Sequence, residues 1–342
     1  MQILEQQLPT GHGAALTAYL QPVGGEFAPL ARRPAVLVLP GGGYQMCSDR
    51  EADPVALAYL QAGFQAFVLR YATGAQAAWP HPLEDYEAAA ALIRSHADDW
   101  ALYPDKLAVI GFSAGGHLAA CAAAMAAQRP NAAILGYPVI DKATVETYLP
   151  GAPDAAKAVD EHTCPCFVFA GRDDTTVPVA NTLVWLEALT RYDISYECHI
   201  YSQAGHGFST GESFLGAQGL CSRAPHWVSD STAWLRDVFG DFSGGALAAP
   251  RCPARVNGNR ESAYNVDCTL GYLLQSPVAA VIQPVLQPLL ARLHLDALPA
   301  SLSGLLFRQL AGMIAMPPEQ LAAIDTALHA VPKQQAGGDT PC

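Results

Sequence analysis

Leu107-Ala108-Val109-Ile110-Gly111-Phe112-Ser113-Ala114-Gly115-Gly116 decides how the rest of the chain is read. Four consecutive apolar residues suit a strand buried on both faces. An alanine-rich helical pattern follows over residues 116–127. Strand, Gly-x-Ser-x-Gly and helix in direct succession describe a strained turn. Its glycines let strand and helix approach closely, and the serine hydroxyl projects above the sheet. The helix N-terminus behind the hydroxyl favours developing negative charge. Ser113 is therefore a candidate nucleophile. The bland alternative is a chance glycine-rich turn, and the strand before and helix after weigh against it.

The same alternation extends outward. Residues 35–39, 65–71, 132–135 and 167–170 are further short apolar runs, and 54–62, 83–96 and 179–191 carry helical patterns. Strands and helices in alternation predict an α/β domain of three layers, with a mostly parallel central sheet and right-handed crossovers. Residues 2–8 and 14–20 have no helix between them and are expected as an antiparallel hairpin at the sheet edge. This domain is expected to occupy residues 1–242. A Gly/Pro-rich linker without periodicity follows over 243–262. Residues 263–332 read as a small all-helical domain. Leu302, Leu306, Leu310 and Met313 stand at helical spacing, as do Leu321, Ile324 and Leu328. Residues 333–342 are expected as a disordered tail.

Bulk properties narrow the function. Of 342 residues 51% are apolar and 15% charged, which suits a buried core and not a disordered chain. A formal net charge of -12 repels phosphate backbones, so no nucleic-acid partner is expected. The first residues lack a basic segment followed by an apolar run, so no signal peptide is expected. The apolar stretch 278–290 is broken by Pro284 and Pro288, and no membrane association is expected. The expected location is the cytoplasm. Nine cysteines, an odd count, read as reduced thiols. Cys164-Pro165-Cys166 is the close pair, but its spacing is not CxxC, and no metal site is expected there.

A serine needs a histidine to take its proton and an acid to orient that histidine. His206, in Gly205-His206-Gly207-Phe208, follows the strand-like 196–201 and sits where a sheet delivers loop residues over its C-terminal edge. His12 reads as a turn histidine in water, and His117 as a packing residue beside the elbow. The acid is expected after the strand at 167–170, where Asp173 and Asp174 compete. Gly41-Gly42-Gly43 follow the strand ending at Leu39. Their backbone N–H groups can face a tetrahedral oxygen without an intervening side chain. Gly42, Gly43 and Ala114 are the natural donors of an oxyanion hole. A phosphate-binding reading of the glycines fails, because neither GxxxxGK[ST] nor a helix-opening GxGxxG is present.

These residues resemble α/β-hydrolase esterases related to the hormone-sensitive-lipase and acetyl-xylan-esterase-like enzymes. Pro40-Gly41-Gly42-Gly43-Tyr44 is similar to their HGGG loop, with proline where many members carry histidine. Residues 48–56, Tyr137-Pro138-Val139-Ile140, Asp174-Thr175-Thr176-Val177-Pro178 and Gly205-His206-Gly207-Phe208 continue the match, over about 34–239. The resemblance implies the order Ser113, Asp174, His206 and favours Asp174 over Asp173. It implies hydrolysis of short acyl esters through an acyl-enzyme, with acetylated xylo-oligosaccharides among the expected substrates and no metal or organic cofactor. Residues 269–274 and 316–321 resemble a small domain appended to some bacterial carbohydrate-active enzymes. A packing or homo-oligomerisation module is the alternative for it. Tyr44, Trp79, His81, Phe208 and Trp227 are the aromatic side chains expected to line the acyl or sugar pocket. An amidase, arylformamidase or peptidase on the same scaffold stays open, as does a hydrolase-fold protein that binds ligand without catalysis.

Overall fold

The computed structural model describes residues 1–27 and 29–333. The chain divides into two units, Met1–Ala254 and Arg255–Cys342.

In the first unit eight strands form one sheet: β1 (Gln2–Gln7), β2 (Ala15–Leu20), β3 (Arg33–Leu39), β4 (Gln65–Arg70), β5 (Leu102–Phe112), β6 (Ala132–Gly136), β7 (Cys166–Gly171) and β8 (Tyr196–Tyr201). Their spatial order is β1-β2-β4-β3-β5-β6-β7-β8. β1 and β2 form the antiparallel edge hairpin, β2 runs antiparallel to β4, and every later pairing is parallel. The helices between strands are α1 (Asp53–Gln61), α2 (His81–Ser95), α3 (Ser113–Met125), α4 (Lys142–Glu146) and α5 (Ala180–Arg191), and α6 (Trp227–Phe239) follows β8.

Alternation along each strand builds two cores. Leu37 and Leu39 of β3, Val109 of β5 and Val168 of β7 point to the face covered by residues of α2, α3 and α5. Val36, Val38, Ile110, Phe167 and Phe169 point to the opposite face, under α1 and α6. Both faces are dry, so the strands read as unbroken apolar runs. Residues 113–124 of α3 are all buried, which a helix rich in alanine and glycine permits because it can sit close to the sheet on every side.

Two elements depart from the sequence expectation. β5 begins at Leu102 and takes in Pro104 and Asp105, and its pairing with β3 shifts register between Arg33 and Ala35. Proline and charge mask such a strand start in the sequence. Helix α6 was not anticipated, although Trp227, Ser231, Trp234, Leu235 and Val238 are buried along one face at helical spacing.

The second unit has its own core, with Tyr264, Val266, Leu270, Ile282, Leu286, Phe307, Leu310 and Leu328 buried together. Its described helices are α7 (Leu270–Leu274), α8 (Ala279–Arg292), α9 (Phe307–Met313) and α10 (Pro318–His329). The Leu302-to-Met313 spacing does not mark one helix. Leu302 ends a single 3-10 turn, Leu306 caps α9, and Met313 is exposed. The segment expected as a linker is shared between the units. Ala248 and Arg251 donate backbone hydrogen bonds to Asp241 and Asp237 in the first, and Gly258 donates to Asp267 in the second. Of the expected tail, Lys333 is held by the carbonyls of Asn259 (2.8 Å) and Glu261 (2.6 Å) and lies over the Tyr264 ring. Residues 334–342 lie outside the described residues. Among the described residues no helix is long and apolar enough to cross a membrane.

Candidate active site

β5 runs directly into α3, and Ser113 at the junction has φ +52°, a conformation that costs a side-chain-bearing residue energy. The glycines on either side make the turn sterically possible. A Cβ on Gly111 would strike the Gly115 carbonyl, and one on Gly115 would strike the carbonyls of Leu39 and Pro40. The serine is thus held where strand β3, its glycine loop and the first turn of α3 converge.

His206 arrives from the loop after β8. Its Nε2 lies 3.0 Å from Ser113 Oγ, and its Nδ1 lies 2.6 Å from Asp174 Oδ2. The Asp174 side chain is fully buried, and its second oxygen accepts the N–H groups of Thr176 (2.8 Å) and Val177 (2.9 Å). Burial of a carboxylate is tolerated when its lone pairs are filled in this way. Bound to a carboxylate, Nδ1 carries the proton, so Nε2 presents its lone pair to the serine hydroxyl. Asp173 does something different. Its Oδ1 accepts the backbone N–H groups of Ala204 (2.8 Å) and Gly205 (2.9 Å), which hold its carboxyl below the usual range. One aspartate orients the imidazole and its neighbour fixes the loop that carries it.

The glycine loop is shaped for donors. Gly42 has φ +129° and Gly43 φ +61°, and a Cβ on Gly42 would collide with the Met46 carbonyl. Among the described residues, the N–H groups of Gly42, Gly43 and Ala114 donate to no protein acceptor. The Gly41 N–H is occupied: it donates to Glu51 Oε2 at 2.9 Å. Glu51 Oε1 accepts the Tyr137 hydroxyl at 2.6 Å, and that hydroxyl accepts the Ser209 N–H at 3.1 Å. Burial pushes the Glu51 carboxyl up, against the lowering by those two donors. The Tyr137 ring stands edge-on to the His206 ring at 4.9 Å. Glu51 and Tyr137 therefore tie the glycine loop, the histidine loop and β6 into one buried network. Sequence reasoning gave neither a role. Asp49, Glu51 and Asp53 stand close together after the glycine loop, and nothing in the sequence singles out Glu51 among them.

The expected pocket aromatics mostly go elsewhere. Tyr44, at φ +59°, turns its ring down beneath the loop, where it is fully buried and its hydroxyl meets His117 Nδ1 at 2.7 Å. His117 Nε2 meets the Pro153 carbonyl at 2.9 Å, and burial lowers its pKa to about 4, so it is a neutral acceptor for the tyrosine. Phe208 and Trp227 are core residues: Trp227 stacks on Phe169 at 4.2 Å and donates to the Ser209 carbonyl. Their large apolar rings fill the space between the sheet and α6. His81 stacks on His12 at 3.9 Å. Trp79 is half-buried with its ring edge-on to His117 at 5.8 Å. Sequence reasoning missed Tyr148, whose ring would lie 3.2 Å from a Cβ on Gly43, and Met46, which is exposed beside Gly42.

Such an arrangement over a largely parallel sheet belongs to the α/β class of hydrolase folds. Comparison with known proteins agrees. The BD-FAE family model matches residues 28–146, and that of the prolyl oligopeptidase family matches residues 151–241. The crystal structure of an alpha/beta hydrolase enzyme from a Medee basin deep-sea metagenome library is 39% identical, with a TM-score of 0.64 over 69% of this chain and 98% of that one. The chain belongs to the α/β-hydrolase family. It is 32% identical over 55% of its length to endo-1,4-beta-xylanase B of Butyrivibrio fibrisolvens, and 29% identical over 60% to the acetylxylan esterase of Xylanibacter ruminicola. The chain spans 35% and 47% of the lengths of these two relatives.

Proposed function

We propose that the chain is a serine carboxylic-ester hydrolase that removes short acyl groups, acetyl above all, from xylo-oligosaccharide-type esters. The observation that carries this reading is the continuous relay from Asp174 through His206 to Ser113, beside the N–H groups of Gly42, Gly43 and Ala114. His206 takes the Ser113 proton as the oxygen attacks the ester carbonyl. The tetrahedral oxyanion draws on the three N–H groups, and the imidazolium is steadied by Asp174. His206 then gives its proton to the leaving alcohol. Water, deprotonated by the same imidazole, cleaves the acyl-serine and frees the acid. Every proton is carried by these side chains.

The carbohydrate part rests on the relatives named as a xylanase and an acetylxylan esterase. Tyr148, Met46 and Trp79 are the partly exposed side chains beside the glycine loop or its supports that such a substrate would meet. A second reading, cleavage of amides, is favoured by the prolyl oligopeptidase match, which covers the stretch with Asp174 and His206. The test is acetate release from acetylated xylo-oligosaccharides beside hydrolysis of an aryl acetate and an aryl amide. A higher kcat/KM on the sugar ester supports the full proposal. Equal rates on both esters leave a general esterase, and faster amide cleavage overturns the ester assignment.

A further inference from the structure

At the far end of α2 from its C-terminus, His12, His81 and Glu84 bring ligand atoms within 4.8 Å of one another, and among the described residues they form the one group of three such side chains this close. We propose that these three side chains bind a transition-type divalent cation, zinc foremost, which pins the loop between β1 and β2 to the first turn of α2.

The hydrogen bonds around the two imidazoles carry the argument. His12 Nδ1 lies 3.1 Å from Asp85 Oδ1, and the other oxygen of that fully buried carboxylate accepts the Ala72 N–H at 2.8 Å. Asp85 is therefore fixed, and it fixes the His12 ring with the proton on Nδ1. The lone pair is left on Nε2, which faces Glu84 Oε2 at 3.6 Å. His81 repeats the pattern. Its Nδ1 lies 2.9 Å from the Gln76 carbonyl and donates to it, which leaves the Nε2 lone pair without a proton. Metal-binding histidines are oriented in this way, by a carboxylate or carbonyl behind the ring. His81 and Glu84 stand three residues apart on one face of α2, so a single ion can reach both. Two imidazoles and one carboxylate suit zinc and its neighbours far better than magnesium or calcium. Glu84 and Asp85 also offset the cation's charge.

The two rings lie stacked, with 16° between their planes. Ligand bonds of about 2.0–2.2 Å require both lone pairs to converge on one point, so the His81 ring tilts about its Nδ1 contact with the Gln76 carbonyl to admit the ion. None of the three side chains hydrogen-bonds to Ser113, Asp174 or His206 among the described residues. The site is legible only in three dimensions, because His12 comes from a part of the sequence distant from His81 and Glu84.

The test uses the full chain, stripped with a chelator and titrated with zinc chloride by calorimetry, and with cobalt(II) by visible absorption. The expected result is one ion per chain with micromolar affinity, and a rise in Tm of about 5 °C at a hundredfold excess over Kd. Glu84→Gln alters only a half-exposed side chain and should weaken zinc at least tenfold without changing the Tm of the stripped protein. His12→Ala should do the same to zinc affinity. Unchanged zinc affinity in Glu84→Gln and His12→Ala would assign the ion to other groups, such as cysteine thiols, and would overturn the proposal. So would the absence of binding by the unmutated chain.

Discussion

Asp173 and Asp174 are neighbours in sequence, yet one binds the backbone of the His206 loop and the other binds the His206 ring. Their division of labour gives the first prediction. Asp174→Asn removes the acceptor that keeps the proton on Nδ1, and it should lower kcat about 10³- to 10⁴-fold with KM nearly unchanged. Asp173→Asn leaves the ring's partner in place and should lower kcat less than tenfold. Steady-state kinetics on p-nitrophenyl acetate checks both. Equal losses would mean that the two carboxylates do not differ as their contacts indicate.

Glu51 anchors the glycine loop through the Gly41 N–H and meets the Tyr137 hydroxyl with its other oxygen. Glu51→Gln replaces one acceptor with a donor, so one of those two donors faces an N–H group. We expect kcat to fall about 10- to 100-fold with little change in KM, since Glu51 acts on the loop and not on the substrate. A rise in KM with kcat intact would contradict this role.

Gly42 offers an N–H at a backbone angle that a side chain resists, and a Cβ there would meet Met46. Gly42→Ala should displace the donor and lower kcat about 10²- to 10³-fold, the usual loss for one oxyanion donor. Circular dichroism and Tm close to those of the parent would locate the loss in the loop. Full activity would mean that this N–H is not used.

His117 couples stability to pH. Burial lowers its pKa from 6.5 to about 4, so between those values the unfolded chain binds a proton that the folded chain does not. Stability is then fully present above 6.5 and falls as pH drops through the window, by up to about 3 kcal/mol. Urea midpoints at pH 7.5 and 4.5 measure the fall. In His117→Gln, which carries no titrating ring, the drop in unfolding free energy between the two pH values, taken as midpoint times m, should be smaller by about that amount.

Much of this architecture was legible in the sequence because its strongest signals are local. The elbow at Ser113 announces itself through glycines that only close packing requires. The central strands are apolar without interruption because both faces of the sheet are covered. What escaped was non-local or masked. The start of β5 carries Pro104 and Asp105, which hide a strand. Glu51 and Tyr137 matter through a hydrogen bond that spans two loops and β6, and no spacing in the chain reveals it. Most of the expected pocket aromatics lie elsewhere for a related reason. Proximity of Phe208 to His206 in sequence says nothing about which side of the loop the ring takes, and burial of a large ring under α6 is the more favourable outcome. Tyr44 was misread because its left-handed backbone points the ring down to His117 and not outward.

The central claim is that Ser113, activated by His206, forms the acyl-enzyme. Labelling with a fluorophosphonate, followed by peptide mass spectrometry, tests it directly. One adduct per chain is expected on Ser113, with no adduct in Ser113→Ala and a rate of labelling in His206→Ala lower by about 10³-fold or more. An adduct on another residue, or p-nitrophenyl acetate hydrolysis that persists in Ser113→Ala, would contradict it.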